Sequence, residues 1–213
     1  MGNILGPSVA RKLVMSLAGL FLILFLIVHL SINLMLLKDD PEPFTMAAHF
    51  MATFPLIKIF EVVLIGGFLV HIVWGIILQL QNWFARPVRY KKYHYSQTSY
   101  FANFMIWTGG IILIFLFIHF LNFWFVRLGL VSGDPDNFYT MAHELFKIPG
   151  YLILYLLSFV ILGIHLHHAF QSAFQTLGLN HPKYTPAIKV IGLIYSIIVP
   201  AGFASIALII FFK

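Results

Sequence analysis

The chain has 213 residues, of which 61% are hydrophobic and only 9% charged, with 23 phenylalanines. That balance excludes a soluble globular domain, whose helices need polar faces, and the formal charge of +6 is far too diluted by apolar sequence to mark a nucleic-acid binder. No cysteine occurs, which excludes disulfides, a covalently attached C-x-x-C-H haem and any cysteine-ligated iron–sulfur cluster on this chain.

Five stretches of eighteen or more apolar residues read as membrane-spanning helices in an all-α membrane protein. The first, about 13–37, follows Arg11 and Lys12. It is longer than the apolar region of a secretory signal and lacks a small-residue cleavage site. The others cover about 56–84, 100–127, 149–177 and 187–212. The N-terminus, second loop and fourth loop share one side, which carries Arg11, Lys12, Arg86, Arg89, Lys91, Lys92, Lys183 and Lys189 and no acid. All seven acids fall on the other side: Asp39, Asp40, Glu42, Glu61, Asp134, Asp136 and Glu144. The positive-inside rule therefore predicts a cytoplasmic N-terminus and an external C-terminus.

Four of the spans contain a histidine: His29, His71, His119 and His165. An ionisable or metal-binding side chain is costly in a lipid-spanning segment and by default marks function. At about 1.5 Å per residue, His29 lies about 24 Å along the first helix and His119 about 28 Å along the third. Both helices run outward, so both histidines fall near the outer surface. His71 and His165 lie about 22–24 Å along helices that run inward. They form a second level about 15 Å below the first in a hydrocarbon core of about 30 Å. Facing histidines on neighbouring helices are a common way to hold haem iron. The predicted architecture is thus a four-helix bundle around two stacked haems, with a peripheral fifth helix. A lone membrane histidine is as often a packing residue as a ligand; four, matched in depth across alternate helices, are not easily obtained by chance. Gly67 and Gly75 flank His71 on its own face and would leave room for a flat macrocycle, although such glycines also serve plain helix contact. In the fourth span His167 points about 160° away from His165, whereas His168 shares its face, and spacing alone does not choose between His165 and His168.

These residues resemble the cytochrome b membrane anchor of succinate:quinone oxidoreductases, in the five-helix, two-haem form of bacterial succinate dehydrogenases and fumarate reductases. The resemblance covers nearly the whole chain. It is carried by SLAG at Ser16–Gly19 and LIVH at Leu26–His29, then AAHFM at Ala47–Met51 leading to Pro55 and Glu61. It continues through VHIVWG at Val70–Gly75, TGG at Thr108–Gly110, FIH at Phe117–His119, and His165 onward to Gly178. The thirteen-residue separation of His165 from Gly178 matches the family and selects His165 over His168.

The resemblance implies two haem b groups, the inner held by His71 and His165 and the outer by His29 and His119. Ser16, His168 and Arg86 are weaker candidates for haem contact. It implies a flavoprotein subunit and an iron–sulfur subunit as partners, docked on the basic side, in a bacterial cytoplasmic membrane, and is compatible with a higher oligomer. Electrons would reach a quinone near the outer surface, where His49, Asn33 and Glu61 are the candidate polar groups and His49 the leading one. Some fumarate-reducing members carry an acid where this chain has Gly163. Its absence shifts the reading toward succinate oxidation with a low-potential quinone such as menaquinone. Three rival readings stand beside this one, of which a purely structural anchor without haem is the plainest. A di-haem anchor of another quinone-linked dehydrogenase or hydrogenase would share the histidines. A proton-coupled transporter would need midplane acids or broken helices, which the spans lack.

Overall fold

The computed structural model describes residues 7–84 and 104–213, and among these every regular element is helical. Five helical spans are long and apolar enough to cross a membrane: Val9–Leu37, Pro55–Gln81, Met105–Arg127, Pro149–Thr176 and Thr185–Phe212. The protein is therefore a multi-pass membrane protein by length and composition. Their outward surfaces fit that medium. Val62, Trp107, Ile114, Leu157 and Val160 are each more than 60% exposed on the bare chain, the apolar surface that a lipid solvent covers.

Helix α1 (Pro7–Asn33) continues into a 3-10 turn over Leu34–Leu37. A short helix, α2 (Glu42–Thr53), follows, where the sequence reading had only a loop. Its start is prepared by Glu42 in the first turn and Pro43, which needs no helical N–H there. It ends at Phe54, held extended (ψ 124°) by the following proline, and α3 (Pro55–Phe84) begins on that proline. The third span is α4 (Met105–His119), a π-helical turn over Phe120–Trp124, and α5 (Phe125–Arg127). A second short helix, α6 (Phe138–Phe146), is capped by the Asn137 side chain, which accepts from the Thr140 amide at 3.3 Å. The last two spans are α7 (Pro149–Thr176) and α8 (Thr185–Phe212). Gly178 terminates α7 in the left-handed region (φ 74°). The backbone bonds Gly178 N to Gln175 O and Leu179 N to Phe174 O complete a Schellman close. The glycine that enters the family resemblance therefore also has a purely local reason to be there.

Helices α1, α3, α4 and α7 form a four-cornered arrangement: α1 packs on α3 and α7, and α4 packs on the same two. Helix α8 lies outside the four, against α7 and α1. It is peripheral in position but central in packing, which the sequence reading did not anticipate. Val199, Phe203, Ile206, Ala207 and Ile210 are buried with Tyr155 and Phe159 of α7 and Leu36 in the main core. Glycines make this closeness possible. A Cβ on Gly192 would meet Phe170 at 2.7 Å, one on Gly202 would meet Leu30 at 2.9 Å, and one on Gly163 would meet the Ser196 carbonyl oxygen at 2.9 Å. Pro200 interrupts α8 and cannot donate to that carbonyl.

The short helices α2 and α6 sit at one end of the molecule, tied to it by Tyr139 Oη donating to Lys38 O at 2.7 Å. Lys213 at the end of α8 pairs with Asp39 there. Hydrogen bonding from Lys213 holds the exposed Asp39 carboxyl below its ordinary value. This tie is therefore complete at neutral pH and is lost as pH falls through the lowered value.

Candidate functional site

The histidines of the spans meet in two pairs, each along a diagonal of the four-helix arrangement. His29 of α1 faces His119 of α4 with ring centroids 5.9 Å apart and planes at 85°. His71 of α3 faces His165 of α7 at 6.4 Å and 76°. The first pair lies toward the end bearing α2 and α6, the second toward the opposite end. These are the pairs that depth along the helices selects. Among the described residues the donors come in twos, with no group of three or more His, Asp or Glu converging.

The ring nitrogens are not equivalent. At His119, Nδ1 lies 3.3 Å from the Tyr155 hydroxyl, which also accepts from Asn122 Nδ2 at 3.1 Å. At His165, Nδ1 lies 3.1 Å from Thr108 Oγ1. At His29, Nδ1 lies 3.4 Å from Asn33 Nδ2, which donates to the His29 carbonyl at 2.7 Å. His71 Nδ1 is buried with no hydrogen bond to a described side chain, and the ring lies against the Met15 backbone carbonyl. Polar groups thus engage Nδ1 in three of the four rings and leave Nε2 as the nitrogen for a ligand, the pattern by which proteins orient metal-bound imidazoles.

Aromatic rings surround the first pair: Phe25 stacks on His29 at 5.2 Å, and Phe115 on His119 at 5.8 Å. Two glycines stand at the rings of the second pair. A Cβ on Gly19 would be 3.4 Å from His71 Cε1, and one on Gly109 would be 3.6 Å from His165 Cε1. Gly67 and Gly75, the pair expected to make room for a macrocycle, face α1 side chains instead. Their added Cβ atoms would meet Phe21 Cδ1 at 3.4 Å and Met15 Cε at 3.6 Å. Gly19 and Gly109 were legible only as members of short motifs, since neither shares a helix with the histidine it approaches.

The weaker candidates scatter. Ser16 is half-buried with no hydrogen bond to a described residue. His168 lies one turn beyond His165 on the same helix. Arg86 lies outside the described residues. His49 is exposed on α2, away from the pairs, with only its backbone carbonyl engaged, by Thr53 Oγ1 at 2.7 Å.

Glu61 is instead the centre of a polar cluster. Arg127 Nη2 donates to it at 2.8 Å, Trp124 Nε1 at 3.2 Å and Lys58 Nζ at 3.4 Å. The π-helical turn sets this register. It carries Asn122 to Tyr155 and Trp124 to Glu61, and the turn after it brings Arg127 to the same carboxylate. Such turns recur at functional positions in helices.

Tyr155 is 2% exposed. Replacing it with phenylalanine strands the Asn122 amide and the His119 nitrogen in an apolar core. The expected loss is about 1–3 kcal/mol of stability, read as earlier thermal unfolding of the detergent-solubilised protein. Unchanged unfolding would mean that the hydroxyl holds neither group.

Two facing imidazole pairs, with Nδ1 engaged in three of the four rings and glycines beside the second pair, supply the donor set that bis-histidine haem needs. No family model, curated protein or solved structure matches this chain.

Proposed function

We propose that this protein is a di-haem cytochrome b membrane anchor of the succinate:quinone oxidoreductase type. It passes electrons from flavoprotein and iron–sulfur partner subunits across a bacterial cytoplasmic membrane to a quinone, in this reading menaquinone. The observation that carries the proposal is the pair of diagonal histidine contacts at two levels of one bundle. Haem, when bound, supplies reversible one-electron chemistry. The chain's own part is to hold and orient it. His29 and His119 would hold the haem near α2 and α6, and His71 and His165 the other. Each haem would be held by two histidines, a ligand set that favours electron transfer over oxygen chemistry. The apolar helices keep water out of the path. A cytoplasmic N-terminus, from the charge asymmetry, makes the His71–His165 level the inner one and points the basic loops at the soluble partners.

Quinone reduction needs polar groups able to hydrogen-bond and deliver protons within an apolar setting. Glu61, Asn33 and His49 all belong to the same end as the His29–His119 pair. Glu61 is held by Arg127 and Trp124, Asn33 touches His29, and His49 is the exposed group with access to water. The basic test is the absorption spectrum of the purified protein with a pyridine haemochrome count. Two low-spin haems per chain are expected, and none would sink the proposal. Co-purification with a flavin subunit that oxidises succinate separates it from the anchor of another dehydrogenase. His49→Ala is then expected to keep both haem spectra while lowering quinone reductase activity. Unchanged activity would make His49 a surface residue and leave Asn33 and Glu61.

A further inference from the structure

Thr108 is one of three buried polar side chains among the described residues, at 7% exposure. Its hydroxyl hydrogen has an evident destination, because Oγ1 lies 3.1 Å from the Met105 carbonyl, which can only accept. The same oxygen lies 3.1 Å from His165 Nδ1. With its hydrogen given to Met105, Oγ1 meets the imidazole as an acceptor. Nδ1 then carries the ring proton, and Nε2 keeps its lone pair. The next residue along α4, Gly109, leaves space beside the ring, since an added Cβ there would lie 3.6 Å from His165 Cε1. Thr108 alone thus sets the ring's tautomer, and the residue after it leaves the ring edge unobstructed. The other rings lack this pairing with a hydroxyl. Among the described residues Tyr155 has no carbonyl to take its hydroxyl hydrogen, Asn33 approaches His29 through an amide that donates, and the His71 ring meets only the Met15 backbone carbonyl, with no side-chain partner at Nδ1.

We infer that Thr108 is a positioning residue for His165, holding its imidazole in the tautomer that presents Nε2 as a ligand before any haem arrives. The inference rests on the haem reading for its purpose and on the hydrogen-bond geometry for its content. It makes His165 the ligand set in advance. The site built around His119 must instead turn the Tyr155 hydroxyl when Nδ1 becomes a donor.

The test compares the full-length protein with Thr108→Val, which keeps the shape and removes both hydrogen-bonding roles, and Thr108→Ser, which restores them. In haem-depleted protein with isotope-labelled histidine, nitrogen NMR is expected to find His165 protonated on Nδ1. That state should persist in Thr108→Ser and give way to a tautomer mixture in Thr108→Val. Haem titration is expected to show about 10- to 100-fold weaker binding at one of two sites in Thr108→Val, with Thr108→Ser like the parent. A tautomer indifferent to Thr108→Val, or a well-folded Thr108→Ser that behaves like Thr108→Val, would overturn the inference. If Thr108→Val fails to fold, the parent tautomer and Thr108→Ser decide it alone. A parent protein that takes up no haem would sink the haem reading, while the tautomer still decides the role of Thr108.

Discussion

In His29→Ala, His71→Ala, His119→Ala and His165→Ala variants, the protein is expected to carry one haem where the parent carries two. Each substitution removes half of a facing pair and leaves the other pair untouched, because the two pairs share no residue. A pyridine haemochrome count against protein concentration reads the loss directly. Three other histidines of the described chain supply the controls, since each is placed away from the two pairs. His143 stacks on Tyr139 at 4.2 Å and bonds its carbonyl at 2.9 Å. His181 Nδ1 accepts the Lys183 amide at 3.2 Å in the turn before α8. His167 faces the apolar groove between α7 and α8, beside Gly163 and Pro200. Replacing any of these three is expected to leave two haems. Two haems retained in His165→Ala would transfer ligation to His168.

The same variants divide the electron path. Losing the haem of the His29–His119 pair is expected to abolish quinone reduction while succinate oxidation by artificial acceptors continues. Normal quinone reduction in His29→Ala would move the quinone site to the other end of the bundle.

Gly163→Leu is expected to separate α7 from α8. The first added carbon already falls 2.9 Å from the Ser196 backbone oxygen and 3.6 Å from Pro200 Cγ. A backbone carbonyl cannot swing aside as a side chain does, so the helices themselves must part. Overpacking of this kind costs about 1–3 kcal/mol, and the longer side chain extends the damage along an interface that holds most of the main core. Gly66→Ala is the control, since nothing lies within 4 Å of an added Cβ there, and the helix gains about 1 kcal/mol of propensity at most. Thermal unfolding in detergent distinguishes them. A Gly163→Leu protein as stable as Gly66→Ala would mean that α7 and α8 do not meet at this carbonyl. The close approach also explains in steric terms why an acid at this position would not fit here: its side chain would start inside the α7–α8 contact.

The apolar runs determined the spans because a hydrocarbon layer about 30 Å thick sets a minimum length for any helix that crosses it. The observed spans from Pro55, Pro149 and Thr185 accordingly begin within about two residues of the expected ones, and the expected start of the third span at 100 lies outside the described residues. Helical rise likewise determined which histidines share a level, so the pairs His29–His119 and His71–His165 could be read before any coordinates. Rotation about each helix axis was another matter. These helices are apolar on every face, and in lipid an apolar face carries no instruction about which neighbour it meets. Gly67 and Gly75 therefore looked like histidine neighbours but pack against Phe21 and Met15. Thr108 and Tyr155 lie 57 and 36 residues from the histidines they touch, so Thr108 was visible only as part of a short motif and Tyr155 not at all. Nor did the 66-residue pairing of Glu61 with Arg127. The helices α2 and α6 were missed because they are short and lie between spans, where length against the membrane offers no guide. Tertiary packing alone decided these, through glycine-permitted approach at Gly163, Gly192 and Gly202 and through polar groups that an apolar medium obliges to find one another.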